Sequence, residues 1–294
     1  AGKFLQINEA IFEDSLDFQN IHFESNKWII KEIDDLQIQI ENLTNKYLFH
    51  EVANKIYHFV WHTYCDWYIE LIKKNFNDKN FSYEIRKTSG WSFIQILKII
   101  HPIMPYISEK LWRSLVNSNS FLMSQIYQKE NFGKNFNNSK KNINLLIELI
   151  TSIRNLRSEL NIPYKKLIDL TIECKDESLT NFLSKNTSEI NNFLKTNKIS
   201  FDKIHPDKNT ALIVLNSFSI LIPLLGIVDS QSEIKKLNAK KELEQVKYDK
   251  INEKLNNDNF MNKASDEIIE KFKNDAQNHK SSIEKIDQII NTIN

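Results

Sequence analysis

The chain has 294 residues, 41% hydrophobic and 26% charged, which is enough for two or three folded units and unlike a disordered protein. Four glycines and five prolines leave no G-x-G-x-x-G or G-x-x-x-x-G-K-[ST] phosphate loop and favour long helices over turn-rich sheets. With 39 basic and 38 acidic residues the net charge is +1, so a nucleic-acid surface, if present, must be a local patch.

The first segment, 1–138, reads as a helical bundle. Ser25 and Asn26 can cap a helix whose apolar positions Ile29, Ile33, Leu36, Ile40 and Leu43 recur every three or four residues. A second helix is expected over 49–74, with Val52, Ile56, Phe59, Val60, Tyr64, Trp67 and Leu71 on one stripe. Thr88 and Ser89 are candidate caps for a third, carrying Phe93, Ile96, Leu97 and Ile100 and ending at His101 before Pro102. A fourth follows Pro105 with Ile107, Leu111, Trp112 and Leu115 inward, and the Asn- and Ser-rich stretch 117–138 reads as a connecting loop.

The second segment, 139–228, changes character. A long helix over 140–161 turns Ile143, Leu146, Ile147, Ile150, Ile153 and Leu156 inward and stops before Pro163. Four short stretches rich in β-branched residues follow, at 167–174, 198–204, 210–215 and 217–224, with a helix at 178–194 between the first two. This is a small α+β module.

The third segment, 229–294, carries a heptad seam of Ile269, Phe272, Ala276, His279, Ile283, Ile286, Ile290 and Ile293, opened by Ser265 as a cap. Ile234, Leu237, Lys241, Glu244, Tyr248, Ile251 and Leu255 repeat that spacing upstream with two polar lapses. The linker NNDNFMNKA is too short for parallel helices, so an antiparallel coiled-coil hairpin is expected. The fold class is therefore mainly α: a bundle, a small α+β module and a C-terminal coiled-coil hairpin.

Candidate chemistry is sparse. His58, His62 and Cys65 fall at i, i+4 and i+7 on one helix, but no second cysteine or general-base glutamate accompanies them, and no metal is assigned. Asp66 and Glu70, four apart, read as a solvated helical face, and no catalytic residue is assigned. Two distant cysteines, Cys65 and Cys174, suit neither a zinc module nor a disulfide framework. No apolar run reaches the roughly 18–20 residues of a membrane span, and AGKFLQINEAIFED is not signal-like, so a cytoplasmic protein without a membrane partner is expected. Trp28, preceded by Lys27, and Trp91 lie at expected helix starts, where phosphate is attracted and an exposed indole can stack on an unpaired base; the alternative is that both are core residues. Arg154, Arg157, Lys165 and Lys166 form the best local basic cluster, with a solvated face complementing a helix dipole as its alternative.

Four stretches carry a resemblance. HPIMPYISEKLW (101–112) resembles the helix–turn–helix of the anticodon-binding domains of class I valyl, isoleucyl, leucyl and methionyl tRNA synthetases. FVWHTYCDWYIEL (59–71) and IRNLRSELNIP (153–163) resemble the valyl enzyme more narrowly. LNNDNFMNKASDEIIEK (255–271) is similar to the hinge of its C-terminal coiled coil, with Ser265 where that family usually has proline. The resemblance implies an anticodon-binding bundle with a truncated N-terminal helix, an α+β insert and a coiled-coil arm that leans on the tRNA body. It implies valine tRNA and the missing catalytic half of the same polypeptide as partners, and a monomer. ATP and magnesium are implied for that missing half and no cofactor for this chain, which lacks the H-I-G-H and K-M-S-K-S signatures and should be a fragment or truncated product, inactive by itself. The rival readings are an isoleucyl or leucyl synthetase tail, and a coiled-coil adaptor for a protein partner.

Overall fold

The apolar three-and-four spacing after Ile21 folds as helix α2 (Glu24–Asn45), which buries Ile29, Ile30 and Ile33 completely. In the computed structural model the described residues are 1–116, 119–125, 132–207, 210–224, 230–256 and 266–293. They form two compact units, 1–147 and 148–294, divided inside one helix.

In the first unit a short helix α1 (Gly2–Ile7) precedes α2, and α3 (Phe49–His58) runs through a π-helical stretch, Phe59–Tyr68, into α4 (Ile69–Ile72). The wider turn moves the buried face: after Phe59 the next buried residue is Tyr64, five on, and Tyr68 replaces the expected Trp67 as the fully buried ring. Helix α5 (Ser82–Ile100) runs through the centre of the core, and α6 (Pro105–Leu115) starts with proline at its first turn as expected.

Two capping expectations are corrected. The start of α2 is not capped by Ser25 or Asn26; Glu84 on α5 accepts from the His22 and Phe23 amides, each at 3.0 Å, and from Asn26 Nδ2 at 2.8 Å. Helix α5 begins six residues before Thr88, whose turn and Ser89's are buried inside it. The Asp78 carboxylate stops the chain upstream, accepting from the Asn80 amide at 2.8 Å and the Phe81 amide at 3.2 Å. Gly90 is required because the backbone at Ile11 passes over α5 there: a Cβ would lie 2.0 Å from the Ile11 carbonyl oxygen.

Helix α7 (Asn137–Glu159) spans the division between the units and leads to strand β1 (Ile168–Cys174). The expected single helix after it is two, α8 (Glu177–Lys185) and α9 (Thr187–Leu194), because Asn186 leaves helical geometry between them. Strands β2 (Thr196–Ser200), β3 (Thr210–Val214) and β4 (Phe218–Pro223) complete a four-stranded sheet in the order β2-β1-β4-β3. Only the β1–β2 pair is parallel, with α8 and α9 forming its crossover.

Helices α10 (Ser230–Leu255) and α11 (Asp266–Ile293) pack against each other. They run antiparallel, since Lys241 meets Asp287, Glu244 meets His279 and Lys254 lies over Phe272. Ala276 and Ile286 are buried, and Lys241, Glu244, Tyr248, Ile251 and Leu255 face inward of their neighbours as the heptad spacing requires. Residues 257–265, which hold the rest of the linker and Ser265, and the side chains of Ile234, Leu237 and Ile293 lie outside the described residues. Among those residues no helix is long and apolar enough to cross a membrane.

Candidate nucleic-acid interface

The basic cluster around the end of α7 sorts into two kinds of residue. Arg157 is buried, 5% exposed, and its guanidinium is spent inside the protein. Its Nη1 donates to the carbonyls of Pro163 (3.0 Å) and Tyr164 (3.4 Å), and its Nη2 to those of Lys166 and Leu194, both at 2.8 Å, and Lys195 at 3.4 Å. One rigid fork thereby ties the turn after α7 to the end of α9. Burial pulls the Arg157 pKa below its ordinary value, yet a guanidinium remains charged at any physiological pH. Arg157 therefore organises a surface; it is not available to touch phosphate.

The others face outward on that scaffold. Arg154, one turn earlier on α7, is exposed, with its guanidinium 5.3 Å above the Phe193 ring. Lys165 and Lys166 project from the girdled turn beside Tyr164, which is itself exposed. The Arg157 girdle adds Lys195, held in a left-handed conformation (φ 54°) at the end of α9. The result is a cationic surface with an aromatic ring in it, on a turn whose backbone accepts three hydrogen bonds from Arg157 while two more tie it to the end of α9. Lys195 carried no sequence signal, because only the crossover between β1 and β2 brings it to this turn.

Trp28 and Trp91 do not join that surface. Trp28 is 2% exposed in the second turn of α2, its Nε1 donating to Asn144 Oδ1 at 3.1 Å. Trp91 is 1% exposed, midway along α5, with Phe18 and Phe132 meeting it edge-on at 5.4 and 5.3 Å. Neither lies at a helix start and neither offers a face to a base, so both are core residues and the stacking reading is withdrawn. Lys27 is half-buried and paired with Glu24 at 2.8 Å.

The remaining polar groups of interest have internal partners. His62 Nδ1 lies 3.1 Å from Asp66, the His58 and His62 rings stack at 5.5 Å, and Glu70 pairs with Lys73 at 3.0 Å. Burial raises the Cys65 and Cys174 thiols above their usual range, which keeps both as unreactive thiols.

Residues 26–172 match the family model described as the anticodon-binding domain of tRNA ligase. The chain belongs to that family. Its last segment, 229–294, matches the model described as the valyl tRNA synthetase tRNA binding arm, so the hairpin of α10 and α11 is that arm. The family member is 30% identical over 268 residues to valine–tRNA ligases of Staphylococcus aureus strains JH9, Newman and USA300. That alignment covers 90% of this chain and 30% of each ligase, so this anticodon-binding family member spans under a third of the relatives it matches. The two matched regions occur in one chain and in the order expected from the four resembling stretches.

Proposed function

We propose that this chain is the tRNA-binding portion of a valine–tRNA ligase: the bundle engages the anticodon arm of valine tRNA and the hairpin engages the tRNA body. The observation that carries this reading is the succession of an anticodon-binding domain and a valyl-type tRNA binding arm in one chain. Valine activation with ATP and magnesium belongs, on this reading, to a catalytic half that the aligned relatives have room for and the matched segment does not include. The chain acts in the cytoplasm as a monomer, its coiled coil satisfied internally by α10 against α11, and alone it charges no tRNA.

At the surface, Arg154, Lys165, Lys166 and Lys195 supply phosphate contacts that set affinity without reading sequence. Lys27, tied to Glu24, contributes less. A titration against valine tRNA transcripts with native and altered anticodons, at two salt concentrations, tests the reading. Binding that is salt-sensitive and weaker for the altered anticodon is expected. Binding blind to the anticodon, or a concentration-dependent dimer with no RNA affinity, would instead favour a coiled-coil adaptor.

A further inference from the structure

His58, exposed at the last position of α3, and His62, in the first turn of the π-helical stretch, stack their rings on one face of that continuous helix. The ring centroids are 5.5 Å apart and the planes 25° from parallel. Asp66 continues the line, its Oδ2 lying 3.1 Å from His62 Nδ1. The sequence spacing sets Cys65 with the two histidines, but Cys65 is half-buried and burial keeps its thiol protonated, so Asp66 is the third member instead. Ten residues of π geometry in a row are rare, and such geometry is frequent at functional sites.

The Asp66 contact decides which nitrogen of His62 is free. A carboxylate only accepts, so in the neutral ring Nδ1 carries the proton and Nε2 keeps its lone pair. Metal-ligating histidines share this arrangement: a carboxylate on one nitrogen fixes the tautomer and ring orientation and raises the basicity of the other. The His62 side chain is 56% exposed, so an ion reaches Nε2 from solvent. Tyr57 meets the His58 ring edge-on at 5.7 Å and lies parallel to Trp61, giving the pair an apolar flank that limits the water around it.

We propose that His58 and His62 chelate one divalent transition-metal ion of the imidazole-preferring class, zinc above all, with Asp66 orienting His62 and water filling the remaining positions. Histidines at i and i+4 have the spacing of the paired ligands in helical zinc motifs. Imidazole nitrogens suit zinc, copper and nickel, whereas magnesium and calcium take oxygen ligands. Among the described residues no group of three or more His, Cys, Asp or Glu side chains can hold a metal, so this two-nitrogen site is open and its ion exchangeable, unlike a closed structural centre. A bound ion ties the end of α3 to the π-helical stretch and stabilises the fold in proportion to its occupancy. The proposal is independent of tRNA binding.

The test titrates zinc chloride into the full chain by calorimetry and follows thermal melting by circular dichroism at several zinc concentrations. One zinc per chain and a Tm that climbs with zinc are expected, and magnesium should produce neither. His58→Ala and His62→Ala are each expected to lose both effects while melting like the parent without metal, since both side chains are exposed. Asp66→Asn leaves both ligands in place and is expected to weaken zinc binding about tenfold. A parent chain that binds no zinc overturns the proposal. So does zinc bound equally by the parent and a double variant carrying both alanines, or unchanged zinc affinity in Asp66→Asn.

Discussion

Arg157 shows how one residue can be misplaced by its type. In I-R-N-L-R-S-E-L-N-I-P two arginines three apart look equally suited to phosphate, and pattern alone cannot separate them. The fold does, because Arg157 lies on the stripe of α7 with Ile150 and Ile153, while Arg154 lies off it. What the buried guanidinium holds is five carbonyls from two segments, so its loss leaves several buried acceptors without donors. Arg157→Met is expected to cost about 2–4 kcal/mol, measured as a drop in urea midpoint. Arg157→Lys should recover little of it, since a single ammonium cannot reach both ends of the girdle. RNA affinity of either variant, measured below its unfolding transition, should fall through the disordered Tyr164–Lys166 turn. Retention of full stability by Arg157→Met would show that the girdle contributes nothing. Trp28 and Trp91 fail as surface candidates for a related reason: α2 and α5 start at Glu24 and Ser82 with no side-chain cap, upstream of the Ser, Asn and Thr residues that suggest their starts.

At the level of elements, periodicity was readable wherever one face is buried throughout. The ends of α5 and α6, the four strands and the heptad seam all follow from spacing, proline and β-branching. Unreadable were features set from a distance: the π-helical stretch that passes the buried face from Trp67 to Tyr68, and the exposure of Ile107 on α6. The polar lapses in the hairpin seam are legible as a pattern but acquire meaning only in the pairing. Lys241 reaches Asp287 at 2.6 Å, and Glu244 accepts from His279 Nδ1 at 2.6 Å, the imidazole being the only possible donor of the two. Polar pairs on a seam sacrifice some stability for one register. Lys247 and then His279 hold the Glu244 carboxyl below its ordinary value of 4.5. A depressed folded-state pKa stabilises the hairpin above pH 4.5, and that contribution is lost as pH falls through the lowered value. Melting of the chain followed by circular dichroism should therefore lose stability on acidification below about pH 5, within the carboxylate range. Glu244→Gln should flatten that dependence. An identical pH profile in parent and Glu244→Gln would exclude the pair as a contributor.

For the whole molecule the proposed function requires a nearly neutral chain to hold a polyanion. The bulk charge of +1 supplies no steering field, and the arm itself balances 12 lysines against 13 carboxylates over residues 229–294. Two of those lysines are already engaged, Lys241 with Asp287 at 2.6 Å and Lys247 with Glu244 at 2.7 Å. An arm of this kind cannot act as a basic rod. On the proposed function its contribution comes from a few lysines, each neutralising one phosphate. Deleting 229–294 is thus expected to weaken valine tRNA binding while removing only a small part of its salt dependence, a change in slope of roughly two, since each phosphate contact contributes about 0.9. The anticodon preference should survive, because the proposed function assigns base reading to the bundle and phosphate contacts carry no sequence information. Titrations of parent and deletion proteins over a salt series, with native and altered anticodons, separate the two effects. An unaltered slope would mean that the hairpin meets no phosphate. A lost anticodon preference would mean that the division of labour between bundle and arm is wrong.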